Sequence, residues 1–176
     1  MSGMKKTRSV AHSAVLIALA LALSYTERFI PLQLLIPLPG VKLGLANIVT
    51  LMALYLLGGK HAFAILAVRC VLGSLFGGGV TGLLFSLTGG LLSMAVMTLC
   101  KRVPLFSIYG VSILGAAAHN VGQILAAMLV MDSVYVGAYL PYLLAVALFT
   151  GSATGAACAG VLRALKAVPI SKEMNR

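Results

Sequence analysis

Apolar residues along this chain fall into six blocks, separated by short charged, glycine-rich or proline-rich breaks. The first runs over 9–25, behind Lys5, Lys6 and Arg8. The second, 43–57, stops at Gly58-Gly59-Lys60, and the third, 61–76, at Gly77-Gly78-Gly79. The fourth, 80–100, stops at Lys101-Arg102-Val103-Pro104, the fifth, 105–131, at Asp132, and the sixth covers 136–162. Each block is predicted as a membrane-spanning helix, so the expected fold is an all-α integral membrane protein, one six-helix domain over 1–176. Blocks two and three are short against the ~20 residues that cross the hydrocarbon. They run nearly perpendicular to the bilayer or borrow residues from their flanks. The first block has the basic flank of a signal peptide, but further spans follow and no cleavage site stands out, so it reads as a retained helix. Between the first two blocks lies an apolar stretch, 27–41, in which Pro31, Pro37 and Pro39 forbid a regular helix. Such a segment suits a loop folded back over the outer end of the bundle.

Composition settles the solvent. Hydrophobic residues make up 61% of the chain, charged residues 9%, and the mean hydropathy is +1.08. Ordinary globular domains carry roughly 25% charged residues. A chain of 176 residues with so few charges cannot cover its apolar surface against water. Disorder, a disulfide scaffold and a coiled coil are excluded on the same grounds. The net charge of +10 arises from 13 Lys and Arg against 3 Asp and Glu. These cations cluster between the apolar blocks, which points to a lipid bilayer as partner and not to nucleic acid. With the N-terminus inside, Lys5, Lys6, Arg8, Lys60, Lys101, Arg102, Arg163, Lys166, Lys172 and Arg176 all lie on the cytoplasmic side. Only Arg28 and Lys42 lie outside, with Arg69 inside the third span, so both termini are expected in the cytoplasm. Cys70, Cys100 and Cys158 have no ligand spacing and read as small buried hydrophobes.

Polar residues within the spans carry the candidate chemistry. Arg69 sits midway through the third block, where an arginine costs about 2.5–3.5 kcal/mol even on lenient insertion scales. No Asp or Glu falls in any predicted span; Glu27 and Asp132 stand at outer ends, so an internal ion pair for Arg69 is not expected. Two readings follow. Arg69 is tied to helix-end carbonyls and to the amides of Asn47 and Gln123, or it faces an outward-open cavity and meets a carboxylate or phosphate of a solute. His119, Asn120 and Gln123 lie close in register on the fifth helix, near the depth of Arg69, and are expected to line that cavity. Asn47 and Lys42 belong to its outer mouth, and together with Arg28 they favour an anionic solute. Tyr135, Tyr139 and Tyr142 form an interfacial belt or part of the mouth. Small residues recur at Ala14, Ala18 and Ala22, at Gly78 and Gly82, and at Gly151, Gly155 and Ala159. Such stripes pack helices inside the chain or dock another membrane protein, and the first helix is the better candidate for docking. No catalytic motif, paired carboxylates, metal-ligand spacing or nucleotide loop is present, so no enzyme activity, metal or cofactor is expected.

The stretch Pro37-Leu38-Pro39-Gly40-Val41-Lys42-Leu43-Gly44-Leu45-Ala46-Asn47-Ile48, with Arg69-Cys70-Val71-Leu72-Gly73-Ser74-Leu75-Phe76-Gly77 and His119-Asn120-Val121-Gly122-Gln123, resembles the Gx transporter family. That family is also labelled heptaprenyl diphosphate synthase component I. The likeness runs from about Val10 to Leu165 and extends to the S components of energy-coupling factor (ECF) transporters. It implies a multi-pass protein of the bacterial cell membrane that captures a vitamin- or precursor-like small molecule under the loop between the first two helices. It implies as partners a coupling transmembrane protein and two ATPase subunits, with Ala14, Ala18 and Ala22 as the docking stripe. The alternative is a non-catalytic membrane subunit or binder in isoprenoid or menaquinone synthesis. Chain-elongating prenyl synthases hold magnesium with Asp-rich motifs, and this chain has one aspartate, Asp132.

Overall fold

The computed structural model describes residues 2–29 and 44–167. Lys42 and most of the proline-rich stretch therefore lie outside the described residues. The described chain forms α1 (Ser2–Thr26), α2 (Asn47–Leu56), α3 (Gly59–Gly73), α4 (Gly79–Arg102), α5 (Ile108–Met131) and α6 (Leu140–Ala167). Four helical stretches are long and apolar enough to cross a membrane: Gly59–Phe76, Gly79–Arg102, Ile108–Met131 and Val134–Leu165. The apolar runs Val10–Thr26 and Asn47–Leu56 are shorter.

The second predicted span is the one that shrinks most. Its helix has 10 residues, a rise of about 15 Å against a hydrocarbon core of about 30 Å. Gly44 with φ +80° and Gly58 with φ +86° bend the backbone sharply on either side. This short helix is instead the centre of the bundle, packed against α1, α3, α4 and α6. Seven of its residues, Asn47 and Val49 through Leu54, are buried. The triple glycine after the third block does not stop the helix where expected. A π-helical turn, Ser74–Gly78, carries it on, and Gly79 with φ +60° turns the chain into α4. The fifth helix begins three residues later than the apolar block. Ser107 takes the cap, its hydroxyl accepting the Gly110 N–H at 3.3 Å, and Asp132 in left-handed conformation closes the far end.

Packing is densest between α4 and α5 and between α5 and α6. Glycines account for both. A Cβ on Gly122 would lie 2.6 Å from the Thr88 carbonyl oxygen and 2.7 Å from the Gly89 Cα, so α4 and α5 cross backbone to backbone. A Cβ on Gly151 would lie 2.6 Å from the Ile113 Cα, and Gly155 sits similarly against Tyr109 and Ser112. The glycine stripe of the sixth helix is thus spent inside the chain. On α1, by contrast, Leu16 and Ala20 are buried while Ala14, Ala18 and Ala22 are exposed. Lys101 fastens the other end of α2, donating to the Leu54 carbonyl at 2.7 Å and lying over the Tyr55 ring. A cation there complements the negative C-terminal end of α2. Cys70 and Cys158 are buried free thiols, and Cys100 is half-buried.

Candidate functional site

The N-terminal end of α2 gathers polar groups from four parts of the chain. Ala46 at the cap offers no side-chain acceptor, and the Asn47 and Ile48 N–H groups turn back to the Gly44 and Leu45 carbonyls at 2.8 and 3.0 Å. The positive end of the helix is left facing into the protein. Asn47 and Arg69 are both buried, at 7% exposure each, and the Arg69 Nη2 donates to Asn47 Oδ1 at 3.2 Å. The buried Arg69 Nε finds no hydrogen-bond partner among the described residues. The contact with Asn47 that one of the two sequence readings named is thus present among the described residues.

Glu27 is the group that sequence reasoning misplaced. It follows α1 in a short 3-10 turn and is 5% exposed, not at a solvated outer end. Its Oε1 accepts the Gly44 N–H. The 3-10 turn after α1 carries this carboxylate inward, which block boundaries alone do not reveal. The demand made by a mid-membrane arginine was the available signal, since Glu27 is the acid nearest any span other than Asp132.

His119 joins the cluster through glycines. A Cβ on Gly44 would lie 3.4 Å from the His119 Cδ2 and 3.0 Å from the Asn47 Nδ2. A Cβ on Gly89 would lie 2.9 Å from both Cε1 and Nδ1 of the same ring. The imidazole of α5 is thus held between the chain entering α2 and the backbone of α4. Gln123, one turn on, is completely buried. Asn120 goes elsewhere: its Nδ2 donates to the Leu143 carbonyl of α6 at 2.7 Å. Its position is that of a brace between α5 and α6. Asn120→Ala is expected to lower stability by about 1 kcal/mol, read as an earlier midpoint in a denaturing-detergent titration.

Beside this cluster lies a cavity of about 10 Å³, the room of one water molecule. Gly44 and Asn47 form one wall, and Ser93, Ser112, Thr150 and Thr154 from α4, α5 and α6 contribute the rest of its polar lining. The Ser93 and Ser112 hydroxyls are buried and have no hydrogen-bond partner among the described residues. An unpartnered buried hydroxyl costs about 1–3 kcal/mol, so these groups suit a polar occupant. No sequence signal singled out the four hydroxyl residues, because serine and threonine in membrane helices ordinarily bond their own backbone, as Thr150 does to the Val146 carbonyl at 3.2 Å.

The family model described as Heptaprenyl diphosphate synthase component I matches residues 16–161. No curated protein and no solved structure matches the chain.

Proposed function

The chain belongs to the heptaprenyl diphosphate synthase component I family, and we propose that it is the substrate-binding membrane subunit, or S component, of an ECF-type importer. In this reading six helices sit in the bacterial cell membrane with both termini in the cytoplasm. A small vitamin- or precursor-like solute enters from outside at the Glu27–Gly44 end of the bundle. It is passed inward in a complex with a coupling transmembrane protein and two ATPases.

The observation that carries the reading is the buried polar cluster at the N-terminal end of α2, where Glu27, Asn47, Arg69 and His119 converge. Polar groups are expensive at membrane depth and are retained where they bind or move a solute. The cavity as it stands holds about one water, so uptake of a solute requires the bundle to open at this end. Opening there breaks the Glu27 to Gly44 hydrogen bond and leaves the α4–α5–α6 packing intact. On the outside of α1, Ala14, Ala18 and Ala22 offer a shallow face on which a partner helix can approach closely.

The second reading, a non-catalytic subunit in isoprenoid or menaquinone synthesis, is favoured by the family description itself. Catalysis by the chain is not part of either reading. Asp132, its one aspartate, is an exposed helix cap, and diphosphate chemistry needs several carboxylates around magnesium.

Affinity purification of the full chain from its own membranes in mild detergent separates the two. A coupling membrane protein and ATPases are expected to copurify, and Ala18→Trp is expected to abolish that association and solute uptake while the chain stays folded. Copurification of a soluble prenyl synthase subunit without ATPases would replace this reading with the second.

A further inference from the structure

Two serines in the helical core depart from the pattern of their neighbours. A hydroxyl in a membrane helix ordinarily donates to a carbonyl of the preceding turn. Thr88 on α4 does so to Leu84 at 2.7 Å, and on α6 Thr150 does so to Val146 at 3.2 Å and Ser152 to Leu148 at 2.6 Å. Ser93 on α4 and Ser112 on α5 do not, although they are only 1% and 3% exposed. Both hydroxyls are buried without a hydrogen-bond partner among the described residues, and both residues line the cavity of about 10 Å³. We propose that this cavity is a binding site for one water molecule, held by Ser93 and Ser112 and shared by α4, α5 and α6. The site stands apart from the importer reading and does not depend on it.

Size, polarity and partners agree. A cavity of this volume admits one water, and a buried water needs two to four polar partners. Ser93 and Ser112 can each donate or accept. Thr150, also in the lining, spends its proton on the Val146 carbonyl, so its oxygen keeps a lone pair for a third bond. Asn47 and Thr154 complete the polar wall. Leaving two buried hydroxyls without partners costs more than the entropy of holding one water. Gly115 keeps the space open. A Cβ there would lie 3.4 Å from the Ser93 Oγ and 2.5 Å from the Met97 Cγ, so a larger residue would crowd the serine and the methionine that line the cavity. The bound water adds a hydrogen-bonded bridge between α4 and α5, which Gly89 and Gly122 already bring close.

Thermal unfolding of the purified full chain in detergent tests the site, because a hydrated and a dry cavity give opposite signs. Ser93→Ala and Ser112→Ala each remove a bond to the water, and each is expected to lower the unfolding midpoint by about 3 °C. The double variant is expected to lose less than the sum, since both hydroxyls hold the same molecule. In a dry cavity each substitution would only remove a hydroxyl without a partner. A raised midpoint in either single variant, or additive losses, therefore overturns the proposal. Exchange of sodium for choline at equal ionic strength is expected to leave the wild-type midpoint unmoved. A sodium-dependent midpoint that the serine substitutions abolish would assign the cavity to a cation and overturn the proposal. X-ray radiolysis then locates the water, because a hydroxyl radical formed from a bound water oxidises the side chain beside it. Met97 lines the cavity and is 2% exposed, whereas Met94, 5% exposed, does not line it. Met97 is expected to be oxidised several-fold faster than Met94 in wild type and no faster than Met94 in the double variant. Equal rates in wild type overturn the proposal.

Discussion

Arg69→Gln is expected to destabilise the protein by about 2 kcal/mol, because it removes a hydrogen bond with a charged donor from a buried site. The magnitude follows from burial: Arg69 is 7% exposed, so water does not replace the contacts its guanidinium makes in the folded state. Asn47 would also lose the donor that meets its Oδ1 at 3.2 Å. Arg69→Lys is expected to recover part of the loss, since it keeps the charge but not the planar fork of donors. Reversible unfolding in denaturing detergent, followed by circular dichroism, reads both values. A folded Arg69→Gln of unchanged stability would mean that Asn47 does not depend on Arg69, and the cluster would have to be rebuilt around other partners.

Gly122→Ala is expected to cost about 3 kcal/mol, at the upper end of what overpacking does, and Gly122→Leu to prevent assembly of the bundle. The new Cβ meets the Thr88 carbonyl oxygen, the Gly89 Cα and the Gly89 nitrogen at 2.6, 2.7 and 2.8 Å. All three are backbone atoms, so relief requires α4 and α5 to move apart along their most extensive contact. Separation there would also loosen His119, whose ring is held against Gly89. Gly82→Ala in α4 is the control. Nothing lies within 4 Å of its Cβ position, so a change within about 0.5 kcal/mol is expected. The same detergent titration compares the two glycines, and equal losses at both would contradict the close crossing.

Much of the architecture was legible because lipid imposes few solutions. Blocks of apolar residues with charges only at their ends admit helices and little else. All six predicted blocks hold a helix, the fourth matching to within two residues and the first, second and sixth differing by four or more at an end, and Cys70, Cys158 and the Asp132 stop fell where expected. The second block holds a helix of 10 residues, and apolar content does not distinguish a helix facing lipid from one buried among other helices. In α2 the surroundings are protein on four sides, so the 30 Å rule did not apply to it.

The candidate site was legible in part. Arg69, Asn47 and His119 stood out as polar residues at membrane depth, and they do converge at one end of α2. Asn120 stood out for the same reason, yet its amide is committed to the Leu143 carbonyl. A difference of one position, about 100° around a helix, separates a residue facing the cluster from one facing a neighbour. Lys42 lies outside the described residues.

The sequence by itself determined that the chain lives in a bilayer, that it is helical, and that Arg69 must be met by something polar. These follow from transfer free energies, which depend on residue type and local order. Only the tertiary structure decided what meets it. Asn47 does, its Oδ1 accepting from Arg69 22 residues along the chain, while Glu27 turns inward to the Gly44 N–H, and no local rule states which way a side chain at a helix terminus will turn. Close approach of α4 and α5 at Gly89 and Gly122 was likewise decided in three dimensions, because a glycine records that space is needed but not what fills it.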